Sequence, residues 1–349
     1  MTRDNRGQIS RRSFVALGAG ALLTPALSPY AAAQAQPLPL TIGVLRAPTS
    51  GIIAVSEQKG WFKEAGVNLS TELFAAAAGP KIIQALGSGS IGLSFVNSTA
   101  ALLALAGGAV PLRMVSIPTD PSRLFALLST QGIDSVPKLA GKRVAVTAGT
   151  ALHYFLARVL AKHDMTLKDI EFVNLPAAEG QAAFVAGRVD ALVPSVTGRF
   201  FVMSTKPDAR ELFTHADFER GSGPTTRFVN YDLFVTTESA LQANREGLRR
   251  FLSVYHDKGV DYLLSPSTRS DATAAITEYV NTEQKSPTDA AIINRLLGDS
   301  TFYRSREAKQ VIASPAFVDS LEYQVKFFRD IGQIKSTPAI KDAVVDSLL

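Results

Sequence analysis

Three short stretches hold the residues best placed to do chemistry: Ala78-Gly79-Pro80, Asn97-Ser98-Thr99 and Ala148-Gly149-Thr150. Each lies between an apolar run of strand length and a run of helical period, so each puts small or polar residues at a helix N-terminus. The first N–H groups of a helix lack carbonyl partners and sit at the positive end of its dipole. Such a terminus can hold a carboxylate, sulfonate, nitrate or phosphate without lysine or arginine. Ser, Thr, Asn and Gly are also ordinary caps, so one junction alone carries no weight. Three junctions at corresponding strand ends point to binding.

The candidate ligand-binding residues are Gly79, Asn97, Ser98, Gly149 and Thr150 from these junctions, together with Arg46, Ser50, Thr119, Ser195 and Asn230. Arg46 ends the first apolar strand and could reach an anion or stand solvated at the rim. Asn230 lies with Phe228 on an expected return strand, where an amide and an aromatic face could line a cleft. His153, in the first turn of its helix, is expected to be neutral beside the positive dipole end, and to pack rather than to bind. Arg123 and Arg199 are expected at the surface.

Catalytic readings find little support. Between residues 36 and 119 the only carboxylates are Glu57, Glu64 and Glu72, none of them at a strand end, so no general acid or base is expected there. There is no G-x-S-x-G elbow. Gly87-Ser88-Gly89-Ser90-Ile91-Gly92 fits G-x-G-x-x-G, but it follows a helix and precedes a strand, the reverse of a dinucleotide fingerprint. The chain has no cysteine, which rules out disulfides and thiolate chemistry. Its histidines, at 153, 163, 215 and 256, lack metal-ligand spacing. The expectation is a binding protein with no catalytic residue, no metal and no cofactor.

The elements that must position these residues repeat. From Leu40 the order is strand, helix ending at Gly60-Trp61-Phe62, strand Leu69 to Phe74, helix from Gly79, and strand Ile91 to Val96 before Asn97. From Lys142 it recurs as strand Val144 to Thr147, helix, strand Ile170 to Asn174, helix, and strand Val189 to Val193 before Ser195. Gly89 and Gly187 are 98 positions apart, and so are Asn97 and Ser195. Two such units make two parallel-sheet lobes, and ligands bind beyond the carboxyl ends of their strands. Crossings between the lobes are expected near Leu124 and on a strand from Phe228 to Thr236. The helical tail, with Leu248, Phe251, Leu252 and Tyr255 and then Val318, Leu321, Val325 and Phe328, should pad the lobes.

The 349 residues suffice for one large or two medium domains, and 46% hydrophobic with 19% charged residues is ordinary for an α/β protein. Residues 1–35 carry Arg3, Arg6, Arg11 and Arg12 against Asp4, which accounts for +3 of the formal +5. No basic stripe with interleaved aromatics remains, so nucleic acid is not an expected partner. Ser10-Arg11-Arg12-Ser13-Phe14-Val15, an apolar run to Leu27 and Ala33-Gln34-Ala35 read as a twin-arginine export signal over residues 1–35. With no lipobox cysteine, the product is expected free in the periplasm.

Lys59-Gly60-Trp61-Phe62-Lys63-Glu64-Ala65-Gly66-Val67 resembles a segment of periplasmic solute-binding proteins for nitrate, sulfonate, taurine and thiamine-pyrimidine precursors. So do Leu139 to Val146 with Gly149 to Tyr154, and Ala182 to Ala191. The resemblance covers roughly residues 40–200. It implies the α/β, two-lobed type II periplasmic-binding fold, with mixed sheets and a ligand cleft between the lobes. It also implies a small anionic or heterocyclic solute, delivered to the permease of an ABC importer by a monomer. The lobes are expected at 38–122 with 233–349, and at 123–232. Two positions depart from the family pattern: Gly92 stands where an acid is expected, and Leu192-Val193-Pro194-Ser195 replaces a Trp-Pro neighbourhood. An exported sensing module and a periplasmic enzyme on the same fold are the alternatives.

Overall fold

The computed structural model describes residues 36–75, 78–220, 228–285 and 288–349. The expected export signal lies outside them. Two sheets carry the strands. In the first, β1 (Leu38–Leu45) pairs in parallel with β2 (Val67–Phe74) and β3 (Leu93–Asn97). In the second, β6 (Arg143–Val146) pairs in parallel with β7 (Glu171–Asn174) and β8 (Ala191–Leu192). The remaining strands are β4 (Leu112–Asp120), β5 (Ala126–Ser129), β9 (Arg210–Thr214), β10 (Asp232–Thr237) and β11 (Thr301–Phe302). The orders are β11-β4-β10-β3-β1-β2 and β7-β6-β8-β5-β9. The two orders mirror each other: the first strand of each unit is central, and an antiparallel strand, β10 or β5, lies beside the third.

The helices through the second sheet are α1 (Gly51–Gln58), α2 (Trp61–Glu64), α3 (Gly79–Ser88), α4 (Ser98–Gly107), α5 (Ala151–Ala161), α6 (Ala177–Val185), α7 (Val196–Thr205) and α8 (His215–Glu219). The tail adds α9 (Glu238–Ala243), α10 (Arg245–Ser253), a π-helical stretch over Val254–Val260, α11 (Asp261–Leu264), α12 (Arg269–Thr282), α13 (Ala290–Asp299), α14 (Ser305–Ile312), α15 (Pro315–Asp330) and α16 (Ile340–Ala343). Helical period decides which face each buries. α3 turns Ile82, Ile83 and Leu86 inward. α15 turns Phe317, Val318, Leu321, Val325 and Phe328 inward, with one polar residue, Gln324, in the same buried stripe. One core cluster joins Leu45, Ile82 and Met114 from the first sheet's side to Val144, Phe155 and Phe213 from the second's. A second, around Phe62, Phe234, Phe251 and Tyr255, lies under α1, α10 and α12.

Two local expectations are corrected. Leu124 closes a 3-10 turn, Ser122–Leu124, before β5 starts at Ala126, and Phe228 lies in irregular backbone before β10 starts at Asp232, so both crossing strands begin later than expected. The Asp120 carboxylate is the cause of the first. It accepts from the Ser122 N–H at 2.9 Å and from the Ser122 hydroxyl, bending the chain out of the ladder. The Trp61-Phe62 turn is a helix of its own, because Gly60 at φ 74 breaks the path from α1.

Candidate functional site

In a parallel arrangement the strand ends lie on one edge of the sheet, and β10 enters that edge at Asp232. Asp232 pairs with Asn97 of β3 and with Thr119 of β4. Val44 of β1 pairs with Phe95 of β3, so two residues on, Arg46 is level with Asn97. Arg46, Asn97, Asp232 and Thr119 thus form one row across the adjacent strands β1, β3, β10 and β4. With strands about 4.8 Å apart, the backbones of Arg46 and Asp232 are roughly 10 Å from each other.

The chemistry of this row differs from the sequence expectation. Asp232 is only 8% exposed. Its Oδ2 accepts from the Thr119 hydroxyl at 2.6 Å and the Thr49 hydroxyl at 3.1 Å. Its Oδ1 takes no hydrogen bond among the described residues. Burial pushes its pKa from 3.8 to about 7; the two hydroxyls oppose the rise and nearby Asp120 adds to it. Burial also raises Asp120, against the hydrogen bonds from Ser122. The strand-end edge of the first sheet therefore carries two carboxyl groups, Asp120 and Asp232, both outside the acid-poor stretch 36–119. At the other end of the row, Arg46 is exposed and makes no ion pair among the described residues.

The structure divides the sequence candidates into two sets. Ser98, Thr99 and Asn230 are buried and tied to Gln324 of α15. The Ser98 and Thr99 hydroxyls lie 3.2–3.3 Å from Asn230 Oδ1 and Gln324 Oε1. The Gln324 amide donates to the Val229 carbonyl at 3.2 Å, and the Asn230 N–H donates to Ser122 Oγ at 2.9 Å. This polar joint locks the start of α4 to the return crossing. Ser50 is equally buried, donating to the Ala47 carbonyl and accepting from Gln284. Gly79 is a packing glycine, since a Cβ there would stand 3.0 Å from that of Ala100.

The second set stays half-buried at the strand ends. Asn97 and Ser195 hold equivalent places as N-caps: Asn97 Oδ1 accepts from the Ala100 N–H at 3.0 Å, and Ser195 Oγ from the Gly198 N–H at 3.2 Å. Ser195 also accepts from Gln181 at 3.0 Å. At the start of α5, the Ala148 N–H goes to Asn174 Oδ1 at 3.0 Å and the Gly149 N–H to His153 Nδ1 at 3.2 Å. Thr150 turns its hydroxyl back to the Thr147 carbonyl at 2.7 Å, so no side chain caps α5. His153 is neutral, as expected near that terminus. The cause is burial, which lowers its pKa to about 4. Arg199 is buried and paired with Glu211 at 2.6 Å, against its expected surface placement.

Sequence reasoning missed Asp232, Thr49 and Asp120. An acid opening an otherwise apolar strand, Asp232-Leu233-Phe234-Val235, was the available signal. Two parallel units, each followed by an antiparallel strand and with polar residues on the strand-end edge, are the architecture of a periplasmic binding protein. The comparisons agree. The crystal structure of the periplasmic aliphatic sulphonate binding protein SsuA from Escherichia coli superposes with a TM-score of 0.72 at 20% identity, over 89% of this chain and 92% of that one. The alkanesulfonate-binding SsuA of Xanthomonas axonopodis pv. citri, bound to MOPS, gives 0.68 at 22% identity, over 89% and 99%. A family model described as NMT1/THI5 like matches residues 47–268, and the chain belongs to that family. The taurine-binding periplasmic protein of Escherichia coli is 23% identical over 240 residues, 68% of this chain and 70% of its own. The fold also carries chemistry elsewhere: the desulfurization enzyme DszB superposes at 0.65 with 13% identity, over 89% of this chain and 97% of that one.

Proposed function

We propose that this protein is an extracytoplasmic solute-binding component of an ABC importer, exported by its twin-arginine segment and working in the periplasm as a monomer. Lobes 38–122 with 233–349, and 123–232, close on a small organic solute and present it to the membrane permease. The row Arg46–Asn97–Asp232 carries the reading, because it sets a cation with no ion pair among the described residues and a buried carboxyl at the two ends of a short polar edge. A zwitterion with an acidic head and an amine about two carbons away, a taurine-like aminosulfonate, complements both ends. The head meets Arg46 and the helix starts of α4 and α7, and the ammonium meets Asp232. Charge-assisted hydrogen bonds of this kind are the strong ones.

Calorimetry with taurine and with ethanesulfonate tests this. Taurine is expected to bind at least tenfold more tightly to the wild type, and the preference is expected to vanish in Asp232→Asn. Equal affinity for the two solutes in the wild type refutes the pairing with Asp232. An enzyme is the second reading, favoured by an Asp232 carboxyl poised near neutral pH, where a general base works best. Recovery of the bound solute unchanged after prolonged incubation excludes it.

A further inference from the structure

Asp232 is a buried carboxyl with no cation beside it among the described residues. The titratable groups that face it there are Asp120 of β4 and Tyr255 of the π-helical stretch, and burial keeps the tyrosine neutral. The turn Pro48–Ser50 offers Thr49, β3 offers Asn97, and α4 carries no charged residue. On α3, Lys81 is exposed, and on α9 Glu238 pairs with Arg113 at the far end of β10. An ionised carboxylate buried without a partner is costly, so the unliganded protein keeps a proton that an ordinary aspartate gives up. Burial moves that exchange to about pH 7.

Geometry decides which oxygen holds the proton. The Thr119 hydroxyl, at 2.6 Å, and the Thr49 hydroxyl, at 3.1 Å, both donate to Oδ2. Two donors already occupy that oxygen, so the proton sits on Oδ1. Oδ1 makes no hydrogen bond among the described residues, yet it is not one of the side-chain atoms sealed from solvent without a partner. It is therefore the oxygen that a solute can reach. Thr49 is held from behind, because the Gln284 amide donates to the Ala47 carbonyl at 3.0 Å and to Ser50 Oγ at 3.3 Å. An ammonium donor and the carboxyl proton then compete for one atom.

We infer that solute capture is a proton exchange at Asp232: the ammonium of the solute takes Oδ1, the carboxyl O–H bond breaks, and one proton leaves to solvent. The inference rests on the proposed pairing of the amine with Asp232. The N–H bonds of the ammonium stay intact, so one positive charge enters as another departs. The Thr49 and Thr119 hydroxyls hold the negative charge left on the carboxylate. Affinity for the solute therefore rises with pH. Thr49 acts through Asp232 as a positioning residue that sets where the rise falls, because its hydroxyl favours the ionised form.

Calorimetry of taurine binding in phosphate and in imidazole, two buffers of different ionisation heat, counts the protons released. About one proton per taurine is expected at pH 6 and almost none at pH 8, with affinity about tenfold higher at pH 8. Ethanesulfonate, which lacks the amine, should release no proton and bind alike at both pH values. Asp232→Asn should bind taurine without proton release. Thr49→Val should move the rise in taurine affinity to higher pH, and Thr49→Ser should restore it. If Thr49→Val fails to fold, the wild-type profile and Asp232→Asn still decide the matter. A taurine preference that persists without proton release, or with affinity flat or falling from pH 6 to 8, overturns this inference and leaves the pairing standing. Undiminished proton release in Asp232→Asn also overturns it, by placing the proton elsewhere. Equal affinity for taurine and ethanesulfonate at pH 8 refutes the pairing itself, and the exchange falls with it.

Discussion

Asp232→Asn should make the unliganded protein more stable while it weakens binding, and the size of the gain should depend on pH. In the folded chain the Asp232 carboxyl holds its proton up to about pH 7, and an unfolded aspartate releases it near 3.8. Between those values the folded state binds more protons than the unfolded state, so stability falls as pH rises through the window. The difference of about three in pKa corresponds to roughly 4 kcal/mol of stability, fully present below pH 3.8 and fully lost above pH 7. Asparagine is of nearly the same size, still accepts from Thr49 and Thr119, and never ionises. The variant should therefore gain up to about 4 kcal/mol over wild type at pH 8 and little at pH 4.5. At about 2 °C per kcal/mol for a chain of this size, the melting temperature should rise by about 8 °C at pH 8. Differential scanning calorimetry of both proteins at pH 4.5, 6 and 8, without solute, reads this directly. A variant that melts at or below wild type at pH 8, or whose gain is the same at pH 4.5, refutes the reasoning.

Asn97→Ala should lose about 1 kcal/mol with the α4 cap, and taurine affinity should fall about tenfold in calorimetry on the folded variant. Burial lowers His256 to about 4 while Ser116 and Tyr303 hold both ring nitrogens, so it folds neutral. An unfolded histidine takes up a proton near 6.5, so this part of the stability is present above that pH and lost as pH falls toward 4. His256→Gln should flatten the acid limb of a denaturation profile between pH 6.5 and 4. Arg11→Lys with Arg12→Lys should trap precursor in the cytoplasm, and normal periplasmic yield would remove the twin-arginine assignment. Solute should reduce the radius of gyration in solution scattering, and an unchanged curve at saturation would count against a closing cleft.

Local pattern carried much of the architecture. The glycines and strand runs that put Asn97 and Ser195 98 positions apart also put them at equivalent caps, because caps and period are short-range properties. The acids were hidden by range. Asp232 meets Thr119 and Thr49 across 113 and 183 residues, and nothing in the sequence places β10 between β3 and β4. The tie between Ser98 and Asn230 is hidden for the same reason. Their partner Gln324 lies on a helix whose apolar stripe reads as padding, and only the fold shows that its single buried amide faces the return crossing. Arg199 was assigned to the surface on residue type, but Glu211, on the strand after its own helix, holds it inside.

The contacts between the two sheets' sides also indicate how the proposed closing motion would run. One set joins α5 to α15: Tyr154 packs against Phe327 and Phe328, with ring centroids 5.4 and 6.3 Å apart. Tyr154 and Phe328 are fully buried there, and the Gln324 joint lies on the same helix. The other set joins α7 to α13, where Arg295 lies 5.2 Å over the half-exposed ring of Phe200. Buried aromatic pairs contribute their area and a further increment of about 0.5–1.5 kcal/mol each, whereas a cation over an exposed ring gives about 0.5–1 kcal/mol. The weaker set parts first. The cleft should therefore open at the α7–α13 side and turn about α5, α15 and the two crossings. Spin labels on Lys206, which follows α7, and on Asp299, at the end of α13, should separate on removal of solute. Labels on Lys162 and Lys326, on α5's end and α15, should hold their distance.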